Sequence, residues 1–192
     1  MAKGTSHNES SITLCISGAP SPTIPCPVEG LDQGKVVGKL CADKDITITT
    51  TTTTGFPLWA GMACTRDGGM ALAFSPAASL SEHEDIYHLP TEGFSKIIYT
   101  GFGTSGASIL ALRSSDAIVF GCGGMSSILE CMTAIEEEKP IGILEGPWDI
   151  DETLKELLDV HYPKYEHLFS DTDPNRLIDQ LIKRVRMRQE QK

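Results

Sequence analysis

Glu130 is the residue whose setting most resembles working chemistry. It lies in "VFGCGGMSSILECMTAIEEEKPIGIL" (119–144), where an apolar run gives way to Gly-Cys-Gly-Gly, two serines and an amphipathic stretch. A glycine-rich turn feeding a helix presents unpaired N–H groups at the positive end of the helix dipole, which is a cradle for an anion. A carboxylate one turn further on could orient water, hold sugar hydroxyls or offset positive charge on a sugar ring. The plain alternative is a structural turn, with Glu130 placed there by the helix dipole alone.

Three other turns have the same character: "SGAPSP" (17–22), "TTTGFP" (52–57) and "TGFGTSGAS" (100–108). Each follows a strand-like run, and together with 121–127 they would meet at the carboxyl edge of a parallel sheet, where open α/β folds bind ligands. The phosphate-binding candidates are Gly18, Thr54, Gly55, Gly101, Gly103, Thr104, Gly121, Gly123, Gly124, Met125, Ser126 and Ser127. Gly101, Gly103 and Gly106 also spell G-x-G-x-x-G. A dinucleotide site needs a carboxylate at the end of the next strand, and "AIVFG" ends in glycine. A nicotinamide-dependent oxidoreductase is therefore only the second alternative.

Other reactive side chains offer less. His83 and His88 share a long polar connection with no partner at ligand spacing, and the six cysteines contain no C-x-x-C pair, so no metal is expected. Cys122 stands near a helix start without an identifiable base. Trp59 could stack on a base or pack beside its turn.

The elements that must position these residues alternate. Strands are expected at 12–17, 45–52, 70–75, 96–100, 117–121 and 141–144. Helices are expected at 28–43, after Pro57, after the 100–108 turn, after Gly124, at 149–160 and at 173–188, the last with an Asp-Pro start. In 28–43, Leu31, Val36, Val37 and Leu40 have helical spacing, while Gly34 and Gly38 weaken it. Residues 76–93 read as a polar connection, and the threonine run 49–54 as strand. This order predicts a doubly wound, Rossmann-like, three-layer α/β/α domain at 12–188, with a flexible leader at 1–11. The strands "KIIYT", "AIVF" and "IGIL" read as apolar runs buried on both faces.

Composition narrows the partners. A chain of 192 residues, 40% hydrophobic, can bury one core, and its formal net charge is −10, with 26 acidic against 16 basic residues. That balance argues against gripping a nucleic-acid polymer. With no apolar leader and no run long enough to span a bilayer, the expectation is a reduced, cytoplasmic protein with no membrane partner.

The stretch "GGMSSILE" (123–130) resembles the P-G-G-x-G-T-x-x-E signature of the LOG (lonely-guy, "possible lysine decarboxylase") proteins of the SLOG superfamily. The following Lys-Pro in "ECMTAIEEEKPIGIL", the "sDA" entry in "LRSSDAIVF" and the turn in "TTTGFPLWAGMA" are also similar, and "EHEDIYHLP" and "IIYTGFG" resemble a divergent bacterial branch. The resemblance spans roughly residues 12–145. It implies a Rossmann-like nucleotide binder, a homodimer, no cofactor, a phosphate on Gly123, Gly124 and Ser127, and Glu130 facing a ribose as catalytic residue. Departures bear on activity. Cys122 replaces a proline, Ser126 a glycine, and Leu58 stands where a glycine is expected in the first turn. The family's arginine, about nine residues before Asp116, is Ala107 here. The expectation is binding of a phosphorylated, nucleotide-like small molecule, with catalysis in doubt. The alternative is a nucleoside 5′-monophosphate phosphoribohydrolase that cleaves the N-glycosidic bond with Glu130.

Overall fold

A computed structural model describes residues 11–20, 28–123, 125–148, 150–162 and 165–191, with 125 and 150–153 described by backbone alone. Gly124, Cys26 and residues 1–10 of the expected leader lie outside the described residues. The elements run β1 (Thr13–Ser17), α1 (Val28–Asp43), β2 (Thr47–Thr51), α2 (Phe56–Arg66), β3 (Ala71–Ser75), α3 (Leu80–Asp85) and β4 (Lys96–Tyr99). They continue with α4 (Gly103–Arg113), β5 (Ala117–Phe120), α5 (Met125–Glu136), β6 (Ile141–Leu144), α6 (Ile150–His161), β7 (Leu168–Asp171) and α7 (Pro174–Gln189).

All strand pairs are parallel, in the order β4-β3-β2-β1-β5-β6-β7. The chain winds outward from β1 to β4, then returns to the other side of β1. The direction reverses between β1 and β5, and the crevice beyond that point is where such sheets take ligands. Alternating side chains feed two cores. Leu14, Ile16, Ile48 and Val119 pack with α1, α2 and α7, while Cys15, Ile118, Phe120 and Ile143 pack with α4, α5 and α6. This is the expected three-layer α/β/α arrangement.

Four expectations need correction. The 76–93 connection contains α3, started by Ser79, which accepts from the Glu82 N–H, while the Glu82 carboxylate accepts from the Ala78 N–H at 2.8 Å. A seventh strand, β7, was not anticipated; it is a short, half-exposed edge strand. β4 is the opposite edge and is not buried on both faces, because only β3 pairs with it and Lys96 and Ile98 reach solvent. In α1 the buried face is Gly30, Gly34, Val37, Gly38 and Cys41; of the four expected residues only Val37 is fully buried, Leu31 and Leu40 are half-buried, and Val36 is exposed. The glycines let α1 lie directly on α2: a methyl at Gly38 would overlap the Ala60 carbonyl, and one at Gly34 would lie 2.9 Å from the Phe56 carbonyl oxygen. Residues that cost helix propensity are here the packing surface.

Of the threonine run expected as strand, Thr49–Thr51 lie in β2 and Thr52–Thr54 form the turn that follows it. The strand's inward hydroxyls are satisfied by carbonyls: Thr49 donates to Ala111 O at 3.0 Å and Thr50 to Ile16 O at 2.8 Å. Among the described cysteines, Cys15, Cys41, Cys64 and Cys131 are free and buried, whereas Cys122 is disulfide-bonded. The expectation of uniformly reduced thiols fails at Cys122, which carries no thiol to act as a nucleophile. No described helix is long and apolar enough to cross a membrane.

Candidate functional site

The carboxyl ends of β1 and β5 are stitched together by their turns. The Gly121 N–H donates to Ser17 O at 3.0 Å, and the Ala19 N–H to Cys122 O at 2.5 Å. Phe56, fully buried, lies beneath both turns: methyls added at Gly18 or Gly121 would strike its side chain. Glycine is required at those positions by an aromatic ring, whatever binds above.

Over this seam lies a cavity of about 130 Å³. Its floor and walls come from Ser17 at the end of β1, Thr51–Thr53 after β2, Ser108 on α4, and Ser126 and Glu130 on α5. Glu130 is 6% exposed and accepts a short hydrogen bond from the Ser17 hydroxyl. Ser127 Oγ lies 3.5 Å from Ser17 Oγ. Burial pushes the Glu130 carboxyl above its usual range, and hydrogen bonds from Ser17 and Ser108 hold it down only in part.

Thr52 is 2% exposed, and unlike Thr49 and Thr50 its hydroxyl finds no partner among the described residues. A buried polar atom left unpaired costs about 1–3 kcal/mol. Thr52 also lines the cavity wall. Among the described residues no lysine or arginine lines this cavity. Positive potential comes instead from helix starts, since Pro57 opens α2, Thr104 lies in the first turn of α4 and Ser126 in the first turn of α5.

The structure brings Gly18, Thr104, Ser126 and Glu130 together at the cavity, with Ser127 beside them. Gly101 and Gly103 do other work. Both have φ of 68°, and their N–H groups donate to Ala77 O at 2.9 Å and Pro76 O at 3.1 Å. The G-x-G-x-x-G order is thus a tight turn fastened to the β3 end, with its first amides already committed. Gly55, at φ 72°, starts α2, and neither it nor Thr54 borders the cavity. Gly121 and Gly123 do not line the cavity, and Gly124 lies outside the described residues, as does the Met125 side chain.

Trp59 and Leu58 do not plug the cavity; Lys35 Nζ stands 4.6 Å over the Trp59 ring. Ala107, at the position of the expected arginine, lines the wall, and the guanidinium of Arg113 is exposed and paired with Glu137. Asp116 of the "sDA" entry accepts from the Thr13 N–H at 2.8 Å at the far edge, which is a structural task. No cluster of three metal-ligating side chains occurs among the described residues.

Ser17, Thr52, Ser108, Tyr87 and Leu89 were missed by sequence reasoning. For Ser17 and Thr52 a signal existed, since each polar residue ends a buried strand at the ligand edge. Tyr87 and Leu89 carried none.

The SLOG cluster4 family model matches residues 12–178. The chain belongs to the SLOG cluster4 family. The resemblance in the Glu130 motif thus has a family behind it, although no curated protein matches this SLOG chain in sequence. Its fold is similar to that of the molybdenum cofactor binding protein from Rippkaea orientalis, with TM-score 0.76 and 18% identity over 93% of this chain and 99% of that one. The Moco carrier protein from Chlamydomonas reinhardtii gives 0.74 and 17% over 93% and 99%. DNA processing protein A from Helicobacter pylori, described by its single-stranded DNA binding mode, gives 0.63 and 14% over 90% and 81%. This last neighbour overturns the expectation that a nucleic-acid polymer is excluded. Net charge does not rule a polymer out of this fold, because its amide-rich edge needs no basic surface to meet a phosphate.

Proposed function

We propose that this SLOG protein binds a phosphorylated, nucleotide-like small molecule at the β1/β5 crevice and holds it without turning it over. The observation that carries the reading is the unpaired Thr52 hydroxyl and the buried Glu130 carboxylate on the walls of one cavity that no cationic side chain of the described residues lines. A dianionic phosphate next to Glu130 would be repelled, so the phosphate belongs at the rim, near the starts of α4 and α5. The interior takes an uncharged portion that offers hydrogen-bond donors to Glu130 and a partner to Thr52. The cavity is smaller than the ~300–1,000 Å³ of complete small-molecule pockets, which fits a ligand only partly inserted.

Two features support binding over N-glycosidic cleavage. Ser17 and Ser108 hydroxyls occupy the Glu130 carboxylate, and Ala107 supplies no charge to a phosphate or leaving group. The structural neighbours named for the molybdenum cofactor add that cofactor to the ligands to be tried. The test is thermal denaturation against AMP, GMP, ADP and isolated molybdenum cofactor, with base release from AMP followed in parallel. Stabilisation by at least one of them, lost in Glu130→Gln and without base release, is expected. No stabilisation by any phosphorylated compound would defeat the reading.

A further inference from the structure

Tyr87 and Leu89 border the cavity although they come from the connection between α3 and β4, which belongs to neither the β1 nor the β5 turn. His83 holds them there. Its ring is fully buried, with Nδ1 2.8 Å from Ser75 Oγ and Nε2 3.2 Å from the carbonyl oxygen of Pro90. The Ala77 N–H donates to the same Ser75 Oγ at 3.1 Å, which leaves the hydroxyl proton free to be given to Nδ1. One tautomer, with its proton on Nε2 and donated to Pro90, satisfies every group. The His83 carbonyl accepts from the Leu89 N–H at 3.2 Å, and Tyr99 meets the imidazole edge-on at 5.6 Å.

Residues 84–90 therefore close on one buried residue: the His83 ring bonds the Pro90 carbonyl, and the His83 main-chain carbonyl takes the Leu89 N–H. Within them Tyr87 and Leu89 are half-buried against the cavity, while Ile86 and His88 are exposed, and His88 has the turn-forming φ of 50°. The opposite wall is β-sheet and helix, fixed by ladder hydrogen bonds. The geometry points to Tyr87 and Leu89 as the residues that select the inserted part of the ligand by size, with His83 as the positioning residue that sets their distance from Glu130. This rests on the proposed binding at the same cavity.

The test has two arms. In the ligand-free arm, amide hydrogen exchange is compared between the wild type, His83→Ala and Ser75→Ala. Leu89 exchange should rise by more than about tenfold in His83→Ala and by less in Ser75→Ala, with β1 and β5 amides unchanged. Unaltered Leu89 exchange in both variants would overturn the role of His83, and Ser75→Ala keeps the test open should His83→Ala fold poorly. In the second arm, affinities for AMP and its N6-benzyl analogue are measured in the wild type and Tyr87→Ala. Removing the ring should raise the preference for the bulkier ligand by about fivefold or more, the scale at which pocket volume discriminates. An unchanged ratio would overturn size selection by Tyr87. Binding of neither probe by the wild type would overturn the functional reading and the selecting role with it, while the exchange arm would still decide what holds the segment.

Discussion

Glu130 and Lys139 stand nine residues apart on either side of one helix end, and both are withdrawn from solvent: Glu130 is 6% exposed and the Lys139 side chain 12%. Desolvation pushes each toward its neutral form, the carboxyl up and the ammonium down. They sit at opposite edges of the sheet and are completed differently. Lys139 donates to Leu112 O at 2.9 Å, Arg113 O at 3.2 Å and Ser115 O, covering the carbonyl end of α4, with Glu137 at 3.7 Å as counter-charge. Glu130 is met by the Ser17 and Ser108 hydroxyls, with no counter-charge among the described cavity-lining residues and the unpaired Thr52 on the same cavity wall. Burial alone does not mark a site; burial with the hydrogen bonding left unfinished does.

Breaking the finished edge should cost most. Lys139→Met leaves a helix terminus without its donors and should lower stability by about 2–3 kcal/mol in urea unfolding, with ligand-induced stabilisation retained. At the unfinished edge the sign reverses. Because the folded carboxyl of Glu130 keeps its proton to higher pH than the unfolded one, the native state binds more protons just above the ordinary value of 4.5, and stability falls as pH rises through that window. Glu130→Gln should therefore gain about 1 kcal/mol at pH 8, with the gain fading by pH 4, while nucleotide binding weakens about tenfold or more. Unfolding at the two pH values checks it.

Thr52→Val keeps the shape and removes the unpaired hydroxyl. Stability should be unchanged or improved by up to about 1 kcal/mol, with binding about fivefold weaker by calorimetry. The smallest effect belongs to a carboxylate at the same edge that is only half-buried and already paired. Asp171 accepts from Arg176 at 2.6 and 2.9 Å and from the Asp173 N–H at 2.8 Å, which holds its carboxyl down at about 2. Its contribution is present above the ordinary 3.8 and lost as pH falls through about 2. Asp171→Asn should move the melting midpoint at pH 7 by only about 1–2 °C.

The layered fold was legible because β5 and β6 are buried on both faces and so read as unbroken apolar runs. β7 and the exposed side of β4 were not, since edge strands lose that signature. α3 was overlooked although Ser79 and Glu82 spell a capping pair; a helix of six residues has no periodicity to see. At the site, Glu130, Ser126 and Ser127 stood out because glycine marks a turn and a carboxylate in a helix start is conspicuous. Glycine misled at Gly101 and Gly103, where it serves turn geometry and its amides are spent. Thr52 was hidden among identical neighbours, and only the three-dimensional pairing of Thr49 and Thr50 sets it apart. Tyr87 and Leu89 reach the cavity by a tertiary tether, which no local pattern encodes.

The seam between α1 and α2 has a mechanical meaning. Main chain rests on main chain at Gly38 and Ala60, with no cushion of side chains that could shear or re-pack. The start of α2, which brings Pro57 to the cavity, is in effect a stationary jaw, so under the proposed binding the give would fall to the segment tied at His83.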